Sequence, residues 1–327
     1  MGLAILWTLY YHIPIGGGIP VLSIVKDMGY GGADLFIFAS GLGCYRSLEK
    51  DRDAGRFFKR RIQRLAPCYL PFALIWIAYK LVVDGLGYRA IIGNLFAIEY
   101  FAETGPNINW YMSALLLLYV LAPYLHSYAE KATPGKHAVM LLLLLALSVP
   151  FWGNFRLVLI FTRLPLFYVG MVFSKFCQGE CRLGRKAWFI SAAALAVGLG
   201  VLAVCLRKID ADTLWLYGLY WYPFLLIAPA GCLLTALLAD RLERVRVFSL
   251  LRRAVECLGR CSLEIYLLHV LLFEIVRAVI SRFGMGKYAT FIWLFALVLL
   301  AVSCFLFRYI EKWVGGLLLR PSKKQKN

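Results

Sequence analysis

The chain has 327 residues, of which 61% are hydrophobic and 15% aromatic, and its formal net charge is +18. Apolar runs long enough to cross a bilayer recur from end to end, which excludes an ordinary soluble domain and gives the composition of a polytopic membrane protein. No polar linker or low-complexity stretch interrupts them, so the fold class reads as all-α, one membrane bundle over residues 1–327.

In chain order the expected spans are 2–22, 30–48, 61–83, 110–129, 138–152, 156–176, 187–206, 214–238, 262–281 and 288–313, a bundle of about ten transmembrane helices. Residues 89–101 are too short and too polar to cross and read as an interfacial or re-entrant piece. The first span is unusual. Its apolar run begins at Met1 and meets Pro14 and Gly16 to Gly18 well before the roughly 20 residues that a crossing takes. Either the glycine-rich segment completes the crossing or residues upstream of Met1 belong to it. No charged leader or small-residue cleavage pattern marks a signal peptide.

Lysines and arginines number eight in 42–65, two in 130–137, four in 175–186, six in 241–260 and six from 308 onward, all on the side of the termini. The opposite loops hold eight. The positive-inside rule then places both termini in the cytoplasm, and the charge calls for no nucleic acid. The nine cysteines lie in spans or beside cytoplasmic loops, where thiols stay reduced, so no disulfide is expected. Cys177 with Cys181 and Cys257 with Cys261 repeat a spacing of four, which is not the usual zinc spacing, and no metal is expected.

Ionisable side chains inside spans mark the candidate chemistry. His12 lies eleven residues from Met1, about 16 Å of helix rise, hence near mid-membrane. Imidazole titrates near neutrality and suits general-base work, although a buried histidine can equally be a packing residue. Asp34 follows the small residues Gly29, Gly31, Gly32 and Ala33 one turn inside the second span. It requires a partner, either His12 or a membrane arginine, and a purely structural ion pair is the plain alternative. Ahead of the third span, Arg56, Arg60 and Arg64 fall on one helical face, with Lys59 and Arg61 beside them. That cluster can grip phosphates or merely hold its side of the bilayer.

Six blocks in order resemble the acyltransferase 3 family, ten-helix bacterial membrane enzymes that O-acylate extracytoplasmic glycans from cytoplasmic acyl-CoA. They are GLAILWTLYYH (2–12), GYGGADLFIFASG (29–41), FFKRRIQRLAPCY (57–69), NWYMSALLLLYVLAP (109–123), TRLPLFYVGM (162–171) and LGRCSLEIYLLH (258–269). The family's usual arginine eleven residues before its histidine falls at Met1 here. The resemblance implies His12 as catalytic base with Asp34 in support. Arg61 and Arg64, helped by Arg60, would hold acyl-CoA, with acetyl-CoA the default donor. Pro67 would tilt this basic turn inward. Arg163 would pair with Asp34 or bind the acceptor or a developing oxyanion. Trp110 and Tyr111 would face a sugar or anchor the interface, and Glu264 and His269 would support the packing. The implied location is the bacterial inner membrane, and the implied acceptor a glycan or lipid-linked sugar, bound chiefly by residues 84–109. The competing class is a proton-coupled transporter of an acylated or small polar metabolite. Neither an internal repeat nor paired helix breaks are legible in support of it.

Overall fold

The computed structural model describes residues 1–14, 19–102, 110–177, 185–242 and 246–318. Among these the fold is all-helical, with sixteen α-helices and no strand. They are α1 (Gly2–His12), α2 (Pro20–Asp27), α3 (Gly32–Lys50), α4 (Ala54–Val83), α5 (Tyr88–Leu95), α6 (Glu99–Ala102), α7 (Trp110–Lys131) and α8 (Pro134–Ser148). There follow α9 (Phe155–Phe161), α10 (Leu164–Phe176), α11 (Arg185–Lys208), α12 (Ala211–Leu216), α13 (Phe224–Leu242), α14 (Arg246–Arg260), α15 (Ser262–Arg282) and α16 (Ala289–Leu318).

Among the described residues, six helical stretches are long and apolar enough to cross a membrane: Ala54–Val83, Trp110–Lys131, Pro134–Phe151, Phe155–Phe176, Lys186–Lys208 and Met285–Gly316. Three more of the described helices have spanning length, α3 and α13 with 19 residues each and α15 with 21; α3 and α15 carry four charged side chains each.

Several elements differ from the sequence reading, and prolines account for two of the differences. The expected first span is not one helix. It stops at His12, where Ile13 turns extended at φ −86° and ψ 126°, the conformation that a following proline imposes on its neighbour. Helix resumes at Pro20 as α2, held against α1 by the Trp7 indole donating to the Val25 carbonyl at 2.7 Å. The sixth span is likewise interrupted at Thr162–Arg163, with Pro165 in the first turn of α10. Pro67 and Pro71, by contrast, lie inside a continuous α4. The terminus-side loop expected at 241–260 carries the amphipathic helix α14.

The chain divides into two compact units. The first comprises Met1–Arg52 and Trp110–Arg260, the second Asp53–Asn109 and Cys261–Asn327. In the first, α3 packs most extensively on α10. Their backbones touch at a pair of glycines, since a Cβ on Gly41 would lie 2.2 Å from the Phe167 carbonyl and one on Gly170 2.3 Å from that of Phe38. Lys175 donates to the carbonyls of Ala129 at 2.8 Å and Ala132 at 3.1 Å, satisfying acceptors that α7 leaves open at its C-terminus. In the second unit, α4 packs on α15 and α16. The Asp53 carboxylate caps α4 by accepting from the Arg56 amide at 2.6 Å. At the far end of the helix Lys80 pairs with Asp84 at 2.7 Å and with Glu274.

Candidate active site

Within the first unit, α3, α7 and the α9–α10 break bring together Asp34, Arg163, Trp110 and Tyr111, and α1 ends at His12 beside Tyr11. Gly32 lets α1 lie directly on α3, because a Cβ there would meet Thr8 Oγ1 at 2.3 Å and the Ala4 carbonyl at 2.5 Å. His12 ends α1, half-buried, its ring edge-on to Tyr11 at 4.9 Å between centroids.

Of the partners open to Asp34, Arg163 takes both carboxylate oxygens, with Nε 3.1 Å from Oδ1 and Nη2 donating to Oδ2 at 3.3 Å. The Nε contact lies off the hydrogen-bond axis, so this half of the pairing is electrostatic. Nη1 donates to the Leu159 carbonyl of α9. The guanidinium is then stacked between two indoles, Trp110 and Trp221, each with its ring centre 4.3 Å from Cζ. Asp34 is 1% exposed and Arg163 is fully buried. A desolvated charge pair with a cation–π sandwich locks the α9–α10 break to the start of α3. Trp110 and Tyr111, both buried, open α7, with Trp110 stacked on Tyr30 at 6.1 Å and Tyr111 edge-on to Phe36 at 6.2 Å.

Beside Tyr11 lies a cavity of about 410 Å³ lined by Tyr11, Tyr30, Phe155, Asp212, Trp215 and Leu216. Its walls are mostly aromatic, with one carboxylate. Behind it Tyr220 accepts from the Gly31 amide at 3.3 Å and donates to the Asp27 carbonyl at 2.8 Å, fastening the 3₁₀ turn Met28–Gly31 to the 217–223 turns. Trp215 stacks on Tyr220 at 4.9 Å. Sequence reasoning did not single out Asp212, Trp215, Tyr220 or Trp221. The signal available was the density of five aromatic residues between 215 and 222, which passes for an interface belt when read as part of a span.

Arg60, Arg61 and Arg64 belong to the second unit. They ride on α4, with Arg60 and Arg64 exposed and Arg61 half-buried, its guanidinium over the Phe57 ring at 5.1 Å. In the same unit, Glu264 at the start of α15 lies 3.5 Å from Arg308 of α16. His269, buried, donates from Nδ1 to the Ile265 carbonyl at 3.1 Å, within its own helix. Of the paired cysteines, Cys181 falls outside the described residues, as do residues 103–109 of the 84–109 stretch; the eight cysteines that are described are free thiols.

Comparison with curated proteins and with solved structures finds no match. A family model described as an acyltransferase domain matches residues 2–308, nearly the whole chain and both units. The chain is therefore a membrane acyltransferase by descent, a member of the acyltransferase 3 family.

Proposed function

We propose that the protein is an O-acyltransferase of the bacterial inner membrane that moves an acetyl group from cytoplasmic acetyl-CoA to a hydroxyl of an extracytoplasmic or lipid-linked glycan. The observation that carries the reading is the aromatic cavity at the His12 end of α1. Aromatic faces pack on the apolar faces of sugar rings, and Asp212 offers an acceptor for their hydroxyls. In this reading about ten helices cross, both termini are cytoplasmic, and α1 carries His12 towards the outer side, where Trp110 and Tyr111 also lie.

His12 Nε2 or Nδ1 takes the proton of the acceptor hydroxyl as its oxygen attacks the thioester carbonyl. The tetrahedral intermediate collapses with cleavage of the carbon–sulfur bond. The CoA thiolate leaves and recovers the proton from the imidazolium, so the products are ester and CoA–SH. Arg61 and Arg64, with Arg60, hold the CoA phosphates through their guanidinium forks. Asp34 and Arg163 act on His12 by fixing α3 beneath α1; the partners on all three Arg163 nitrogens suit a positioning role better than a substrate ligand.

The test is transfer from radiolabelled acetyl-CoA to a cell-envelope glycan fraction by the purified protein in liposomes. Label should reach the glycan with the natural chain, fall at least a hundredfold with His12→Ala, and fall with Arg64→Ala chiefly through a higher KM for acetyl-CoA. Undiminished transfer by His12→Ala would remove the base from the mechanism. Proton-coupled uptake with no transfer in any sample would replace the enzyme with a carrier.

A further inference from the structure

The aromatic cavity beside Tyr11 has a form and a charge that a neutral sugar does not require. Four of its six lining residues are rings, contributed by α1 (Tyr11), the 3₁₀ turn (Tyr30), α9 (Phe155) and α12 (Trp215). Neighbouring rings stand steeply to one another. Tyr11 meets Tyr30 at 70°, Tyr30 meets Trp215 at 83° and Phe155 meets Trp215 at 68°, with centroids 5.3, 5.0 and 6.4 Å apart. They wall the space on several sides instead of offering one flat stacking platform. Its volume of about 410 Å³ lies within the roughly 300–1,000 Å³ of small-molecule sites.

The charged side chain in the lining is Asp212, and no lysine or arginine accompanies it. The cap of α12 does not claim this carboxylate, because Asp210 already accepts from the Thr213 amide at 2.8 Å. No ion pair reaches Asp212 among the described residues. The Arg163 charge is matched by Asp34 and held between Trp110 and Trp221, neither of which lines the cavity. Ring faces carry the negative part of the aromatic quadrupole, so several rings around one space attract a cation, and a carboxylate adds to the same field. A neutral ligand rich in hydroxyls gains little from that field. For hydrogen bonds the lining side chains supply it only two phenols, the Trp215 indole and this carboxylate.

We infer that the cavity recognises an organic ammonium group, so that the acceptor is a hydroxylated compound with a protonated or quaternary nitrogen, an amino sugar with a free amine above all. The inference rests on the acyltransferase reading for the role of acceptor, but the binding it predicts is measurable without any donor. A protonated nitrogen has no free electron pair; it anchors the ligand among the rings, and a hydroxyl remains the nucleophile. Tyr11 joins the cavity to the proposed base, since its ring is edge-on to His12 at 4.9 Å. The preference is local, because the chain's formal net charge of +18 opposes a cation in general.

The glucosamine trisaccharide and its fully N-acetylated form differ only at nitrogen, and they isolate the charge. Each is titrated calorimetrically into the full-length protein in a polyoxyethylene detergent, which carries neither sugar nor ammonium, in mildly acidic buffer that keeps the amines protonated. The free-amine form should bind at least tenfold more tightly than the acetylated one. Asp212→Asn should remove most of that difference and leave the acetylated form's binding unchanged. Phe155, 43% exposed at the rim, gives a second variant that spares the core: Phe155→Leu keeps an apolar side chain without a ring and should weaken the free-amine form alone. Choline is the competing arm; displacement of the trisaccharide by equimolar choline upholds the ammonium and makes a quaternary headgroup its source. Equal affinity for the two trisaccharides, or a preference for the free amine that Asp212→Asn leaves intact, overturns the inference. Charge-selective binding with no acetyl transfer to either form upholds the cavity and sinks the enzymatic reading; transfer to the acetylated form without charge-selective binding does the reverse.

Discussion

Arg163 is fully buried with a protein partner at each nitrogen and an indole on each face. Removing it would strand the Asp34 carboxylate in the same dry site. Arg163→Met should cost about 3–5 kcal/mol, the usual consequence of breaking a buried pair from one side. Replacing both, Asp34→Leu with Arg163→Met, should recover most of that, as read from denaturation midpoints in one detergent. An Arg163→Met midpoint close to that of the natural chain would mean that the pair does not support the fold. Glu99, in the short segment between spans, is a second buried acid, and neither of its oxygens has a hydrogen-bond partner among the described residues. Desolvation pushes its carboxyl up to about 7. The folded protein thus keeps a proton that an unfolded glutamate loses near pH 4.3, so the stability it contributes is complete below about pH 4.3 and is lost as pH rises through about 7. Melting temperature should fall between pH 5.5 and 8.5, and Glu99→Gln, neutral throughout, should flatten that fall. The same slope in both proteins would acquit Glu99.

At the scale of elements, the crossing of α3 and α10 depends on two backbones approaching where neither glycine leaves room for a methyl. Gly170→Ala should push the helices apart at a cost of about 1–3 kcal/mol, visible as a lower unfolding midpoint and, because α3 carries Asp34, as weakened transfer. Unchanged stability would mean that the crossing is looser than the contact distances state. Much of this level was legible in the sequence. The order of helices, the basic face of α4 and the pairing options of Asp34 follow from periodicity and from the rarity of ionisable groups in lipid. The early Pro14 is noticeable, yet its span still reads as one crossing, and the breaks at Thr162–Arg163 and at 217–223 do not show, because hydropathy averaged over a span hides a single turn. The aromatic cavity was illegible for another reason. Tyr11, Tyr30, Phe155 and Trp215 come from four separate elements, and only tertiary packing brings them together.

For the molecule as a whole, the charge asymmetry makes a claim about orientation that the exposed thiol of Cys257 on α14 can report. In a chain whose other cysteines are replaced by alanine, a membrane-impermeant maleimide should label Cys257 in inverted vesicles and not in intact cells. Labelling from outside would reverse the topology and, with it, the side on which the donor is held.

The two compact units are not consecutive in the chain. Polypeptide passes from the first to the second after Arg52, returns at Trp110 and leaves again after Arg260. Synthesis from the N-terminus therefore completes the first unit, with its buried ion pair and aromatic cavity, once Arg260 has emerged. Helices α4, α5 and α6 are made early but find α15 and α16 only at the end of translation. The arginine face proposed to hold the donor thus rides on a helix whose own core is assembled last, so biogenesis would finish the unit that carries His12 before that face is in place.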